Sequence, residues 1–164
     1  MVRYYIIFLL FISCEKKLYK FSNDKNGEPI VKEQMYTFNK IMNENDYNVI
    51  DTSKFYVQIF DINSSNETER ENPNIIKFHS DGYFKLESKL FFGKYDRIRF
   101  KNSVGYGGKF YLEKDKIYLE KFYPSKGGKT QYFVKLISDC LIKGDTLFVD
   151  NKEKKEVYVK RNKI

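Results

Sequence analysis

The chain of 164 residues has no tryptophan, one histidine, two cysteines and three prolines. Each shortage excludes a kind of chemistry. Zinc-type sites draw on several histidine or cysteine ligands at close spacing, and His79, Cys14 and Cys140 stand far apart. A catalytic thiol needs a neighbouring base, and His79 alone could serve Cys140, so Cys140 reads as a buried, inert thiol. Two cysteines cannot build a disulfide framework. The apolar run from Tyr4 to Ile12 falls short of the roughly 20 residues that a membrane-spanning helix needs, and Glu15, Lys16 and Lys17 close it off.

Glycine motifs are equally sparse. Ser125-Lys126-Gly127-Gly128-Lys129-Thr130 ends like a phosphate-binding loop, but Tyr123 stands where that pattern requires its first glycine. Gly105-Tyr106-Gly107-Gly108 has Phe110 in place of the last glycine of a dinucleotide fingerprint, with no βαβ unit around it. Both read as hairpin or loop glycines. No nucleophile elbow accompanies His79, which reads as an ordinary hairpin residue. The carboxylates Glu113, Asp115, Glu120, Asp139, Asp145 and Asp150 fall mostly at strand ends and turns, where turn chemistry accounts for them. The sequence therefore indicates no catalytic residue, no cofactor site and no metal site.

What is abundant is positive charge and aromatic surface. The formal net charge is +8, and Phe and Tyr supply an aromatic content of 18%. The cations are scattered along the chain and form no basic helix, which argues against nucleic acid and for a lysine-rich surface. Anionic lipid is the alternative partner for such charge. Aromatic enrichment favours strands, where flat side chains pack on a pleated surface.

The start of the chain reads M-V-R-Y-Y-I-I-F-L-L-F-I-S-C-E-K-K. Arg3, the apolar run and the small Ser13 are the parts of a secretory signal. A core strand or a short anchor are the competing uses of such a run. Ile12-Ser13-Cys14 resembles the lipobox of bacterial lipoproteins. That resemblance implies a signal peptide over residues 1–13, with Cys14 acylated, palmitate-type, as the mature N-terminus. It places the domain in the cell envelope, outside the cytoplasm and held at a membrane by lipid. One chain binds only marginally, and two or three hold firmly. The polar stretch 14–28, with a turn at Asn23-Asp24-Lys25-Asn26-Gly27, reads as a tether, and residues 29–164 as one domain.

Within that domain Pro29 opens a helical pattern. Val31, Met35, Phe38 and Met42 recur at helical spacing, and Asn43 and Asn45 end it, so the pattern predicts one N-terminal amphipathic helix. Its apolar face would pack on the sheet or meet a partner. From Lys54 the period changes to two. Strands are expected at 54–62, 75–79, 83–88, 95–101, 109–113, 116–122, 130–138, 146–149 and 156–160, joined as antiparallel hairpins, with the polar stretch 63–74 as a loop. A two-residue turn at Lys114-Asp115 sets Leu112 opposite Ile117 and Phe110 opposite Leu119. A three-residue turn at Ser80-Asp81-Gly82 pairs Phe78 with Phe84 and puts Gly82 at a left-handed position.

Such a meander removes its edges by closing into a barrel or a curled sheet. Gly108 to Glu120 (G-K-F-Y-L-E-K-D-K-I-Y-L-E), Gly144-Asp145-Thr146-Leu147 and Val157-Tyr158-Val159-Lys160 are similar to pieces of small lipocalin-like envelope lipoproteins. The likeness covers about residues 75–160. It implies a mostly β fold, an antiparallel lipocalin-like barrel. Two functions follow as expectations. One is a non-catalytic structural or interaction lipoprotein presenting its surface to another envelope protein. The other is a binder of a small apolar or amphipathic ligand.

Overall fold

A computed structural model of the chain describes residues 17–38, 49–60, 66–113, 116–125, 131–151 and 154–164. Eleven strands occur among them: β1 (Leu18–Lys20), β2 (Ser22–Asn23), β3 (Pro29–Ile30), β4 (Phe55–Ile59), β5 (Asn74–Phe78), β6 (Tyr83–Ser88), β7 (Gly107–Glu113), β8 (Lys116–Pro124), β9 (Tyr132–Lys143), β10 (Thr146–Asp150) and β11 (Lys155–Arg161). From β4 to β11 each strand pairs antiparallel with the next in sequence. The long β9 pairs β8 along Lys116 to Pro124, and the meeting of β11 with β4 closes the ring. The result is a closed, up-and-down barrel of eight strands, the architecture that the lipocalin-like resemblance implies.

Both hairpin registers follow from turn chemistry. Leu112 pairs Ile117 and Phe110 pairs Leu119, while Ile76 pairs Leu86 and Phe78 pairs Phe84. Gly82 has φ 83°, the left-handed value that its loop requires. Alternation then sends Phe78, Phe84, Phe110, Leu112, Ile117, Leu119, Cys140 and Leu147 inward into one core. Its rings interlock edge to face, with Phe78 5.5 Å from Tyr56 and 4.9 Å from Phe110. Gly107 and Gly108 sit where β7 is squeezed between its neighbours. A Cβ on Gly107 would collide with the Phe84 carbonyl oxygen, and one on Gly108 with that of Glu120.

Three expectations need correction. The first is the helix from Pro29. Over its described part the chain instead forms β3, a single 3-10 turn at Glu33–Met35 and extended backbone; residues 39–43 lie outside the described residues. Val31 and Tyr36 are buried there, because the segment lies as a strap on the outside of the barrel and packs on Phe122 and Phe133. The second concerns the polar tether. Its residues 18–23 belong to the strap: β1 pairs the first part of β9, and Phe21 packs 5.0 Å from Phe133. The third is the strand at 95–101. Residues 89–106 form a flap of successive turns, with bonds such as Arg99 N–H to Tyr95 O (2.9 Å). The flap lies on the outer wall of β5 and β6. Arg99 is held there by Glu87 (3.0 Å) and Glu28 (3.0 Å), and Asp96 by Lys85. Those ion pairs override the local β pattern. The loop 63–74 also contains a short exposed helix, α1 (Glu67–Glu71), capped by Asn66 accepting from Glu69 N–H at 2.8 Å.

The register makes a direct prediction. Leu119 points into the core and Tyr118 outward, so Leu119→Lys should cost about 3–5 kcal/mol and Tyr118→Lys about 1 kcal/mol. Urea unfolding of the two variants measures the difference; equal losses would show the inward series to be wrong.

Candidate functional site

Of the residues singled out in the sequence, Cys14 and Asp115 lie outside the described residues, as does 126–130. Cys140 is buried in the core; burial, helped by the charge of Asp139, pushes its thiol pKa well above the ordinary value. His79 sits beside its hairpin with Nε2 2.8 Å from Tyr106 Oη, and burial lowers its pKa. Asp145 holds Lys160 at 2.7 Å and Asp150 holds Lys155 at 3.6 Å, while Glu113 ends β7. These groups do not converge. Among the described residues no three His, Cys, Asp or Glu side chains are placed to share a metal ion. No described helix is long and apolar enough to cross a membrane.

Glu120 is the exception to the turn explanation. It lies mid-strand on the outer wall of β8 and is wholly buried. Its Oε1 accepts from Thr37 N–H (2.9 Å) and Lys135 Nζ (2.6 Å), and its Oε2 from Thr37 N–H (2.8 Å) and Phe38 N–H (3.1 Å). This is a latch for the strap. Nearby, Glu33 binds Tyr83 and Lys109 on the same wall.

Among the described residues, one end and one outer wall of the barrel offer candidate surfaces. The first is the barrel mouth at the end remote from the hairpin turns of β5–β6 and β7–β8. The inward positions there are half-buried or exposed: Lys121, Tyr123, Val134, Leu136 and Glu156. Lys121 Nζ lies 4.0 Å from the Tyr123 ring centroid. Burial lowers its pKa to about 8, and the charge of Glu156 opposes that shift. Glu156 itself accepts from Tyr158 Oη (2.8 Å) and pairs with Lys154 (3.7 Å). The mouth thus joins apolar wall, an aromatic face and a poorly solvated ammonium.

The second surface is on the outside. Leu141, Phe148, Val157 and Ile59 stand directly opposite one another across β9, β10, β11 and β4. Leu141, Phe148 and Ile59 are between 37% and 46% exposed. Beside the row runs a groove of about 320 Å3, with Asp139, Asp150, Lys155 and Lys116 on its rim. The strap meets β9 at Tyr132 to Val134 and the flap meets β4 at Phe55, away from this exposed row.

Comparison with protein-family models, with curated proteins and with solved structures finds no match. Lys121 was legible in the sequence, since 117, 119 and 121 form the inward series of a strand whose register the turn had already fixed. Glu120 was not, because its partners on the strap lie 82 and 83 residues away.

Lys121 generates a prediction with a definite sign. A folded pKa near 8 against an ordinary 10.5 means that the unfolded chain holds this proton more tightly. The penalty is therefore complete below about pH 8 and fades as pH climbs towards 10.5. Lys121→Met should raise stability at pH 7 by about 1–3 kcal/mol, and the gain should shrink at pH 10. Unfolding midpoints at the two pH values check it; a loss of stability at pH 7 would contradict the assignment.

Proposed function

We propose that this chain is a lipid-anchored cell-envelope protein of interaction type, working by contact and without catalysis. Its anchor is Cys14, on the reading of Arg3, the apolar run and Ser13 as a lipoprotein signal. The observation that carries the interaction reading is the solvent-facing row Leu141–Phe148–Val157–Ile59. Four large apolar side chains held in line on a rigid wall form a ready contact surface. Its pattern fits a second copy of the chain. A two-fold axis parallel to the strands between β10 and β11 sets Phe148 on the partner copy's Val157, and Leu141 on its Ile59. The same axis brings Asp150 to the copy's Lys155, so that both ion pairs join an alternating quartet. A row four strands wide is about 15 Å across, small for a stable dimer, so the association is weak and favoured by confinement at a membrane.

Two measurements test this. Metabolic labelling with a fatty acid should mark the wild type and lose the mark in Cys14→Ala; equal label would refute the anchor. Sedimentation of the full chain over about a hundredfold range of concentration should show a dimer that Phe148→Lys abolishes. Asp150→Lys should weaken it, and adding Lys155→Asp should restore it. A wild type monomeric throughout would overturn the second copy as occupant.

The second reading, a binder of a small amphipathic anion at the barrel mouth, is favoured by Lys121. The ammonium would hold the acidic head, with Val134 and Leu136 along the tail. Native mass spectrometry of the purified chain should then show a bound anion that Lys121→Met loses.

A further inference from the structure

The flap over β5 and β6 carries an unusual surface. Leu90, Phe91, Tyr95, Ile98 and Phe100 are each between 36% and 57% exposed. Five large apolar side chains within eleven consecutive residues are far more than scattered surface hydrophobics would give. They do not result from a loose loop. Beneath them Lys85 is buried and bound to Glu87 (3.3 Å) and Asp96, and Arg99 bridges Glu87 and Glu28. Phe92 packs edge-on against Phe55 at 5.8 Å. Asn26 Nδ2 donates to Ile98 O at 2.8 Å. Phe92, Asp96, Arg99 and the Ile98 carbonyl are thus fastened to the wall or to the strap, while Ile98, Phe100, Leu90 and Phe91 stand towards the solvent.

The charges among these side chains have one sign in excess. Lys89, Lys94 and Arg97 are exposed and have no carboxylate partner among the described residues. Lys94 Nζ lies 5.3 Å from the Phe91 ring centroid. The acidic residue of the stretch, Asp96, is bound to Lys85, and Lys101 pairs with Asp81 at 2.5 Å. Apolar tips interleaved with unpaired cations, with Tyr95 stacked 6.2 Å from Phe91, match the interfacial zone of an anionic bilayer. Cations meet headgroup phosphates there while the apolar tips enter the acyl boundary. A protein groove would cover the apolar tips equally well, but it would have to supply carboxylates to three cations spread over nine residues.

We propose that the flap 89–101 is a membrane-contact surface that lays β5 and β6 against anionic lipid. It is a second, non-covalent contact, independent of the state of Cys14. In the ring of eight strands β10 is four steps from β6 in either direction, so Phe148 faces away from the wall that carries the flap.

The absence of tryptophan makes the test direct. Ile98→Trp and Phe148→Trp each give the full chain a single reporter, one on each wall. With phosphatidylglycerol vesicles, Ile98→Trp emission should move to shorter wavelength and be quenched by brominated acyl chains, and Phe148→Trp should do neither. Phosphatidylcholine vesicles should produce a smaller shift, and Lys94→Glu with Arg97→Glu in the Ile98→Trp chain should remove the preference for the anionic lipid. Because the apolar N-terminal run can bring any variant to a vesicle, the comparison between the two reporters decides. No shift at Ile98→Trp, equal shifts at both positions, or equal shifts on the two lipids would overturn the proposal.

Discussion

Glu120 is a carboxylate with no access to solvent, on the outside of a barrel wall where such a group would ordinarily face water. A buried charge of this kind is tolerated only if its lone pairs are met, and leaving one unpaired costs about 3–5 kcal/mol. Here two backbone N–H groups of the strap and Lys135 meet it. Hydrogen bonds to a charged acceptor contribute about 1.5–3 kcal/mol each, which accounts for a strap without a helix of its own holding its place. The latch also fixes Phe38, which stacks on Tyr111 at 4.9 Å, and keeps Tyr36 over Phe122 at 5.6 Å. Glu33 then reaches Lys109 and Tyr83, and the strap reaches the flap just after β3, through Val31 N–H to Asn102 O at 2.9 Å. Strap and flap become one outer layer.

This layer covers only part of the barrel. The wall of β5 to β9 carries buried ion pairs and aromatic clusters beneath strap and flap. The wall of β10 and β11 carries no such cover in the described residues and presents, with Leu141 of β9 and Ile59 of β4, its apolar row instead. A barrel has no free strand edges, so what distinguishes one side from the other is the chemistry of its outward positions. Two outward apolar surfaces result, one on the flap and one on the bare wall, and the interaction reading uses their opposition: lipid on one side and a copy of the chain on the other. At the hairpin end aromatic and branched side chains of the described residues pack into one core. Ser138 and Gln58 are buried polar groups among them, and inward charge stands at the mouth with Lys121 and Glu156.

The barrel was legible in the sequence wherever local chemistry decides. Gly82 and the Lys114-Asp115 turn fixed two registers, and inward alternation followed from them. Long-range polar contacts were not legible. Val31, Met35 and Phe38 have helical spacing, yet Thr37 and Phe38 give their N–H groups to a side chain more than 80 residues away. Tyr95 to Lys101 alternates like a strand, yet Arg99 and Asp96 are drawn to charges on β6 and on the strap. In both places a buried ionic partner outweighs a backbone preference worth about 1 kcal/mol or less per residue. Lys121 belongs to a third kind. Its inward placement was available from the register, but a lysine in a strand reads as a solvent-facing residue unless the pleat is counted.

One buried carboxylate holds the strap to the barrel. Residue-level amide exchange of the full chain, wild type against Glu120→Leu, tests it most directly. In the wild type the Thr37 and Phe38 amides should be strongly protected. In the variant their exchange should rise by about a hundredfold or more, while the Ile117 and Leu119 amides inside the β8 ladder stay protected. Unchanged exchange at Thr37 and Phe38 would contradict it.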